Sequence, residues 1–174
     1  MEILSDKPQE KGAKSWIKLN QLKLQGRKGE LTREYMNSKG AVAAVVYDTI
    51  KNKYIFVKQF RPGPKKEILE IAAGMRDHTG EDQSKTMIRE IEEELGYKTD
   101  TINIIVKSYY TSPGHSNETM IIYFATVSKK IGEGGGLEEE NEEIEIVELT
   151  KEEIKRTEFV DGKTLLALAV LKLK

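Results

Sequence analysis

One stretch, residues 82–95, constrains the fold more than any other. Met87, Ile91 and Leu95 recur at four-residue steps, Ile88 widens the stripe, and Gly96 stands where glycine closes a helix. One amphipathic helix cannot bury its own stripe, so it needs another layer to cover it. The flanking sequence supplies strands. Residues 41–47 are a short Val-rich apolar run, and 54–60 form a returning strand after a polar turn. Arg61-Pro62-Gly63-Pro64 breaks that strand, and 67–72 form another. Residues 102–106 and 119–127 read as strands on either side of Thr111-Ser112-Pro113-Gly114, and 144–149 as one more. Earlier in the chain, 16–24 alternate imperfectly and lead to a turn at 26–29. Near the end, Asp161 is placed to cap a last helix running to the C-terminus. The expected class is α+β, an α/β/α sandwich with a mixed β-sheet, preceded by N-terminal antiparallel strands.

The same helix carries the chemistry. Glu90 and Glu94 are four apart and share a face, and Glu93 borders it. Acids at this spacing repel, and a divalent cation between them turns repulsion into a binding site. Arg89, four before Glu93, is placed to hold it by a salt bridge. Ala72-Ala73-Gly74 approaches the helix. Glycine there permits close backbone contact and leaves the Ala73 carbonyl as a further hard ligand. The chain has no Cys and only 2 His, so thiolate and His-rich metal sites are excluded. Oxygen donors remain, and these suit Mg²⁺, with Mn²⁺ as a substitute. The chemistry suggested is hydrolysis at phosphorus. The competing reading is a solvated acidic face on a chain that is 33% charged.

Composition removes other classes. Lys plus Arg is 28 against 29 Asp plus Glu, a net charge of -1, which gives no general attraction to nucleic acid or acidic membranes. No apolar run approaches the ~20 residues that span a bilayer. Residues 1–14 are polar and lack a signal-peptide stretch, so a cytoplasmic protein is expected.

Gly74, Glu81 and Arg89-Glu90-Ile91-Glu92-Glu93-Glu94-Leu95-Gly96-Tyr97 together resemble the signature of the Nudix hydrolases. Two departures are visible: six residues rather than five separate Gly74 from Glu81, and Tyr97 stands where the family usually has an aliphatic residue. The extra residue falls in a loop, where insertions are tolerated. Further segments resemble the ADP-ribose and GDP-mannose pyrophosphatase subgroup. These are Val57-Lys58-Gln59-Phe60-Arg61, Tyr110-Thr111-Ser112-Pro113-Gly114 with Glu118, Glu140-Asn141-Glu142-Glu143-Ile144, and Asp161-Gly162-Lys163-Thr164.

The resemblance implies a Mg²⁺-dependent diphosphatase that cleaves a nucleoside diphosphate sugar. ADP-ribose, giving AMP and ribose 5-phosphate, comes first and GDP-mannose second. It implies Glu90, Glu94 and the Ala73 carbonyl as metal ligands, with Glu93 a ligand directly or through water. Glu140 would activate the attacking water, and Glu142 would bind another Mg²⁺. An acidic run such as 138–143 is otherwise just solvated. Arg61 would clamp a phosphate; otherwise it is a strand-end surface residue. Glu70 would contact substrate or metal, or else form a cross-strand ion pair, and Ser112, Pro113 and Gly114 would form a rigid turn near the base or ribose, or an ordinary turn. Trp16 is assigned either to stacking on a base or to packing, and Glu81 to loop support. A homodimer is implied, residues 1–40 forming the tail and dimer-building strands and 41–174 the hydrolase domain. The rival readings are a triphosphate house-cleaner of the same superfamily and a non-catalytic ligand-sensing module.

Overall fold

The computed structural model describes residues 2–8, 17–76, 82–136 and 143–174. They fall into two compact units: Met1–Gly40 with Tyr110–Thr119, and Ala41–Tyr109 with Met120–Lys174.

The first unit is a three-stranded antiparallel sheet of β1 (Glu2–Pro8), β2 (Lys18–Gly26) and β3 (Gly29–Asn37), in that order. Gly26 pairs with Gly29, which closes the β2–β3 hairpin, and Gly29 takes φ +117°, a value side chains rarely tolerate. Residues 110–119 add a loop along the end of β3. The Met36 amide donates to the His115 carbonyl at 2.8 Å, and the Asn117 side chain caps Ser38 N–H at 2.7 Å.

The second unit is a seven-stranded mixed sheet covered by helices. Its main order is β10 (Glu145–Leu149), β5 (Lys53–Arg61), β4 (Ala41–Asp48), β9 (Thr119–Lys130) and β8 (Tyr97–Tyr110). β4 and β9 run parallel; β4–β5 and β5–β10 are antiparallel. Two short strands fill the edge that β4 and β5 leave open. β6 (Lys66–Glu70) pairs with β5, and β7 (Ala72–Met75) pairs with β4. The single strand expected over 67–72 is therefore two, jointed at Ile71, which is fully buried.

Strand alternation sorts the core into two layers. From β4, Val42, Ala44 and Val46 pack with Met87, Ile91 and Leu95; Ala41, Ala43 and Val45 pack on the other face with Ile154, Phe159, Ala167 and Leu168. Helix α1 (Gln83–Glu90), continued by Ile91–Leu95, covers the first face. Helices α2 (Lys151–Arg156) and α3 (Gly162–Val170) supply the second. This is the α/β/α arrangement that the strand–helix pattern predicts.

Further details differ from the sequence reading. The last turn of the α1 segment, Ile91–Leu95, widens to π geometry rather than continuing as plain α-helix. β8 extends well beyond residues 102–106 at both ends. α3 stops at Val170 because Lys172 takes φ +53° and Leu173 folds back, its amide bonding the Leu168 carbonyl at 2.9 Å.

Candidate active site

The chain reaches the site through the β6–β7 joint. Ala73 N–H donates to Glu94 Oε2 at 3.2 Å, so it points away from β4. The N–H and C=O of one residue in an extended strand leave along the same edge, so the Ala73 carbonyl lies on that edge too. Gly74 then passes against Glu90. A Cβ on Gly74 would lie 2.1 Å from the Glu90 Cδ and 2.3 Å from its Oε1, so glycine is needed for the carboxylate to occupy this place.

The acids are held where an isolated helix would not keep them. Mutual repulsion of i,i+4 acids is worth ~0.2–0.5 kcal/mol per pair, whereas burying Met87, Ile91 and Leu95 stabilises by about 1.5–3 kcal/mol each. Packing therefore wins, and the polar edge of the helix is carried with it. Asp82 caps the helix, accepting from Ser84 Oγ at 2.8 Å and Ser84 N–H at 3.0 Å, and these bonds hold its carboxyl below the usual range. Arg89 bonds Glu93 and also reaches Glu90 at 2.8 Å, so one guanidinium holds two of the three acids. Glu94 is buried, with 4% of its surface exposed.

Among the described residues no three carboxylate or imidazole side chains converge closely enough to hold a cation. The donors nonetheless fit Mg²⁺ in kind: carboxylates, with a carbonyl on the adjacent strand edge. Glu94 is a buried acid that accepts from the Ala73 amide, and the Glu90 carboxyl fills the space that a side chain at position 74 would need.

Beside them lies an ion cluster. Arg61 donates to Glu70 through Nε at 2.7 Å and Nη2 at 2.9 Å. Lys163, from α3, also bonds Glu70 and reaches Asp161 at 3.1 Å. Hydrogen bonding to Glu70 keeps the Arg61 guanidinium charged above its ordinary pKa; burial opposes this, and the charges of Glu70, Glu94 and Asp161 add to it. Glu70 thus makes the ion pair that was one of its two expected roles.

Ser112, Pro113 and Gly114 belong to the first unit and form a compact turn there. Ser112 C=O accepts from the amides of His115 (3.1 Å) and Ser116 (2.9 Å), and Thr111 Oγ1 donates to Glu118 at 2.7 Å. Glu140 and Glu142 lie outside the described residues, as do Glu81 and Trp16.

Two features were not anticipated. In the sequence Lys163 reads only as part of a helix start, although a lysine two residues after a capping Asp is a charge delivered to a helix N-terminus. The second is a glycine clasp. Gly135 N–H donates to the Glu94 carbonyl at 2.8 Å and Gly136 N–H to the Glu93 carbonyl at 3.3 Å. The Gly96 carbonyl accepts from Ile131 at 2.7 Å and Gly132 at 3.1 Å. These bonds satisfy carbonyls that a helix end leaves open.

The NUDIX domain family model matches residues 37–168. The chain is 37% identical over 146 residues to a protein of Bacillus methanolicus named methanol dehydrogenase activator, covering 82% of this chain and 77% of that one. It is 36% identical over 146 residues to the ADP-ribose pyrophosphatase of Bacillus subtilis (strain 168), with the same coverage of 82% and 77%. A crystal structure of an ADP compounds hydrolase superposes with a TM-score of 0.77 at 18% identity, covering 98% of this chain and 91% of that one, which shows a common fold. With the domain model spanning most of the sequence and the carboxylate helix seated against Ala73 and Gly74, the chain belongs to the Nudix family and is a hydrolase.

Proposed function

We propose that the protein hydrolyses the pyrophosphate bridge of a nucleoside diphosphate sugar, with ADP-ribose as substrate and AMP and ribose 5-phosphate as products. The observation that carries this reading is the seating of Glu94 and Glu90 on Ala73 and Gly74, which brings hard oxygen donors to one strand edge. The Bacillus subtilis relative, named for ADP-ribose, supports the choice of sugar. Glu90, Glu94 and the Ala73 carbonyl would hold Mg²⁺, Mn²⁺ substituting, with Glu93 contributing directly or through water and Glu142 holding a further ion. Bound there, Mg²⁺ neutralises charge on the diphosphate. Arg61 would contact a phosphate oxygen, and Ser112, Pro113 and Gly114 would contact the base or ribose. Glu140 takes the proton from water as the water oxygen bonds to phosphorus and the bridging P–O bond breaks toward the leaving phosphate. Residues 41–174 carry this chemistry, residues 1–40 build a homodimer, and the enzyme works in the cytoplasm.

The test is monophosphate release from ADP-ribose, GDP-mannose and other nucleotide sugars by the purified chain with Mg²⁺. ADP-ribose should be cleaved fastest, and Glu93→Gln should lower turnover about a hundredfold or more. No release from any of them removes the reading. The relative named as an enzyme activator favours a second reading, action on a partner enzyme. Unchanged biological effect in Glu93→Gln would support it.

A further inference from the structure

We propose that Lys163 is the standing counter-ion of Glu70, a positioning residue that lets Arg61 leave Glu70 for a substrate phosphate. The inference rests on the reading of Arg61 as a phosphate ligand. Glu70 is 3% exposed and carries two cations, Arg61 and Lys163. A buried carboxylate stripped of its partners is strongly unfavourable, so with Arg61 alone the guanidinium would be locked in place. The two cations are not equivalent. The Lys163 side chain is 10% exposed and sits between Glu70 and Asp161, while that of Arg61 is 39% exposed and holds Glu70 through Nε and Nη2 only. Arg61 is therefore the one able to turn outward.

The root of Lys163 is fixed as well. Asp161 caps α3 by accepting from Thr164 N–H at 3.0 Å and Thr164 Oγ1 at 2.7 Å; Thr164 Oγ1 in turn accepts from Ile71 N–H at 3.0 Å. Thr164 is fully buried, so the start of α3 is tied to the residue that follows Glu70. When Arg61 moves to a phosphate, Glu70 keeps Lys163 and the cluster keeps its charge balance.

The experiment measures calorimetric affinity, with Mg²⁺ present, for ADP-ribose carrying a methylene group in place of the bridging oxygen. Hydrolysis of ADP-ribose itself is measured alongside. The proteins are the full chain and its Lys163→Met, Lys163→Arg, Arg61→Ala, Glu70→Gln and Lys163→Met/Glu70→Gln variants. Lys163→Met should weaken binding about tenfold, while Lys163→Arg stays within about threefold of the parent. The double variant should bind as Glu70→Gln does, because a neutral residue 70 no longer restrains Arg61. Damage to the fold would leave the double variant no tighter than Lys163→Met, and that result overturns the proposal. So does unchanged affinity in Lys163→Met when Arg61→Ala is weakened. Unchanged affinity in Arg61→Ala removes the phosphate role and the proposal with it. Binding without cleavage by the parent chain sinks the hydrolytic reading alone, and the affinities still decide the role of Lys163.

Discussion

At Gly74 the missing side chain matters more than any backbone freedom, because the Glu90 carboxyl occupies the space a Cβ would need. The clash in Gly74→Ala would fall on the end of a flexible side chain, which can swing away. Stability should then change by no more than about 1 kcal/mol, a shift of a few degrees in Tm, while Glu90 is displaced. Activity with Mg²⁺ should fall about a hundredfold. Thermal melting and turnover of one preparation check both halves, and a large loss of stability with turnover retained would contradict the assignment. Tyr97 shows how a departure from the family pattern is absorbed. Its ring is buried in the layer of Met87 and Leu95, and its hydroxyl accepts from Lys51 Nζ at 3.0 Å. Glu148 and then Tyr97 hold Lys51 charged, while burial raises the pKa of the tyrosine hydroxyl. An aliphatic residue would fill the same place without needing the lysine.

The helix and the glycine run before the acidic segment act together at the next level. The π turn over Ile91–Leu95 ends at Gly96 with φ +73°, and residues 132–136 bond back to it. Gly134 also has φ +73°, and a Cβ there would lie 2.6 Å from the Glu94 carbonyl oxygen and 2.7 Å from the Leu95 carbonyl carbon, both backbone atoms that cannot yield cheaply. Gly134→Ala should lower stability by about 2 kcal/mol and speed hydrogen exchange at the Gly135 and Gly136 amides. Exchange unchanged from the parent would show that the clasp is incidental. The helix was readable because three apolar residues and three acids declare its two faces, and β4, β5 and β9 because apolar runs bounded by turns declare strands. The clasp was not, since glycines in a polar run look the same whether they bond a helix end or wander. β3 alternates weakly, with Arg33 and Glu34 at its centre, so it carried no strand signal. α2 did carry one: Thr150 and Glu153 form a reciprocal capping box, a spacing visible in the sequence, but the helix is only six residues long. The Arg61–Glu70–Lys163 cluster is closed by a Glu70–Lys163 bond between residues 93 positions apart, and no local pattern reports such a meeting.

Over the whole molecule, the two units differ in how they bury apolar surface. The second has two full layers of buried residues; in the first, no apolar side chain among those described is fully buried. Leu22 and Leu24 of β2 share a face with Leu31 and Tyr35 of β3, since Leu24 pairs with Leu31 and Asn20 with Tyr35, and all four are half-buried. Asn20 Nδ2 donates to the Tyr35 hydroxyl at 3.0 Å on the same face. A small antiparallel sheet needs an apolar face packed on something to be stable. A net charge of only -1 offers little long-range repulsion between copies. The proposed homodimer would give this sheet its cover. Light scattering on the full chain should therefore return twice the monomer mass at micromolar concentration, and Leu24→Glu should shift it toward monomer by placing a charge on the covered face. The same substitution should leave the melting of the second unit nearly unchanged, because Leu24 takes no part in its two layers. A parent chain that runs as a monomer at all concentrations, with its first unit still protected from proteolysis, would show that the sheet is stabilised without a second copy.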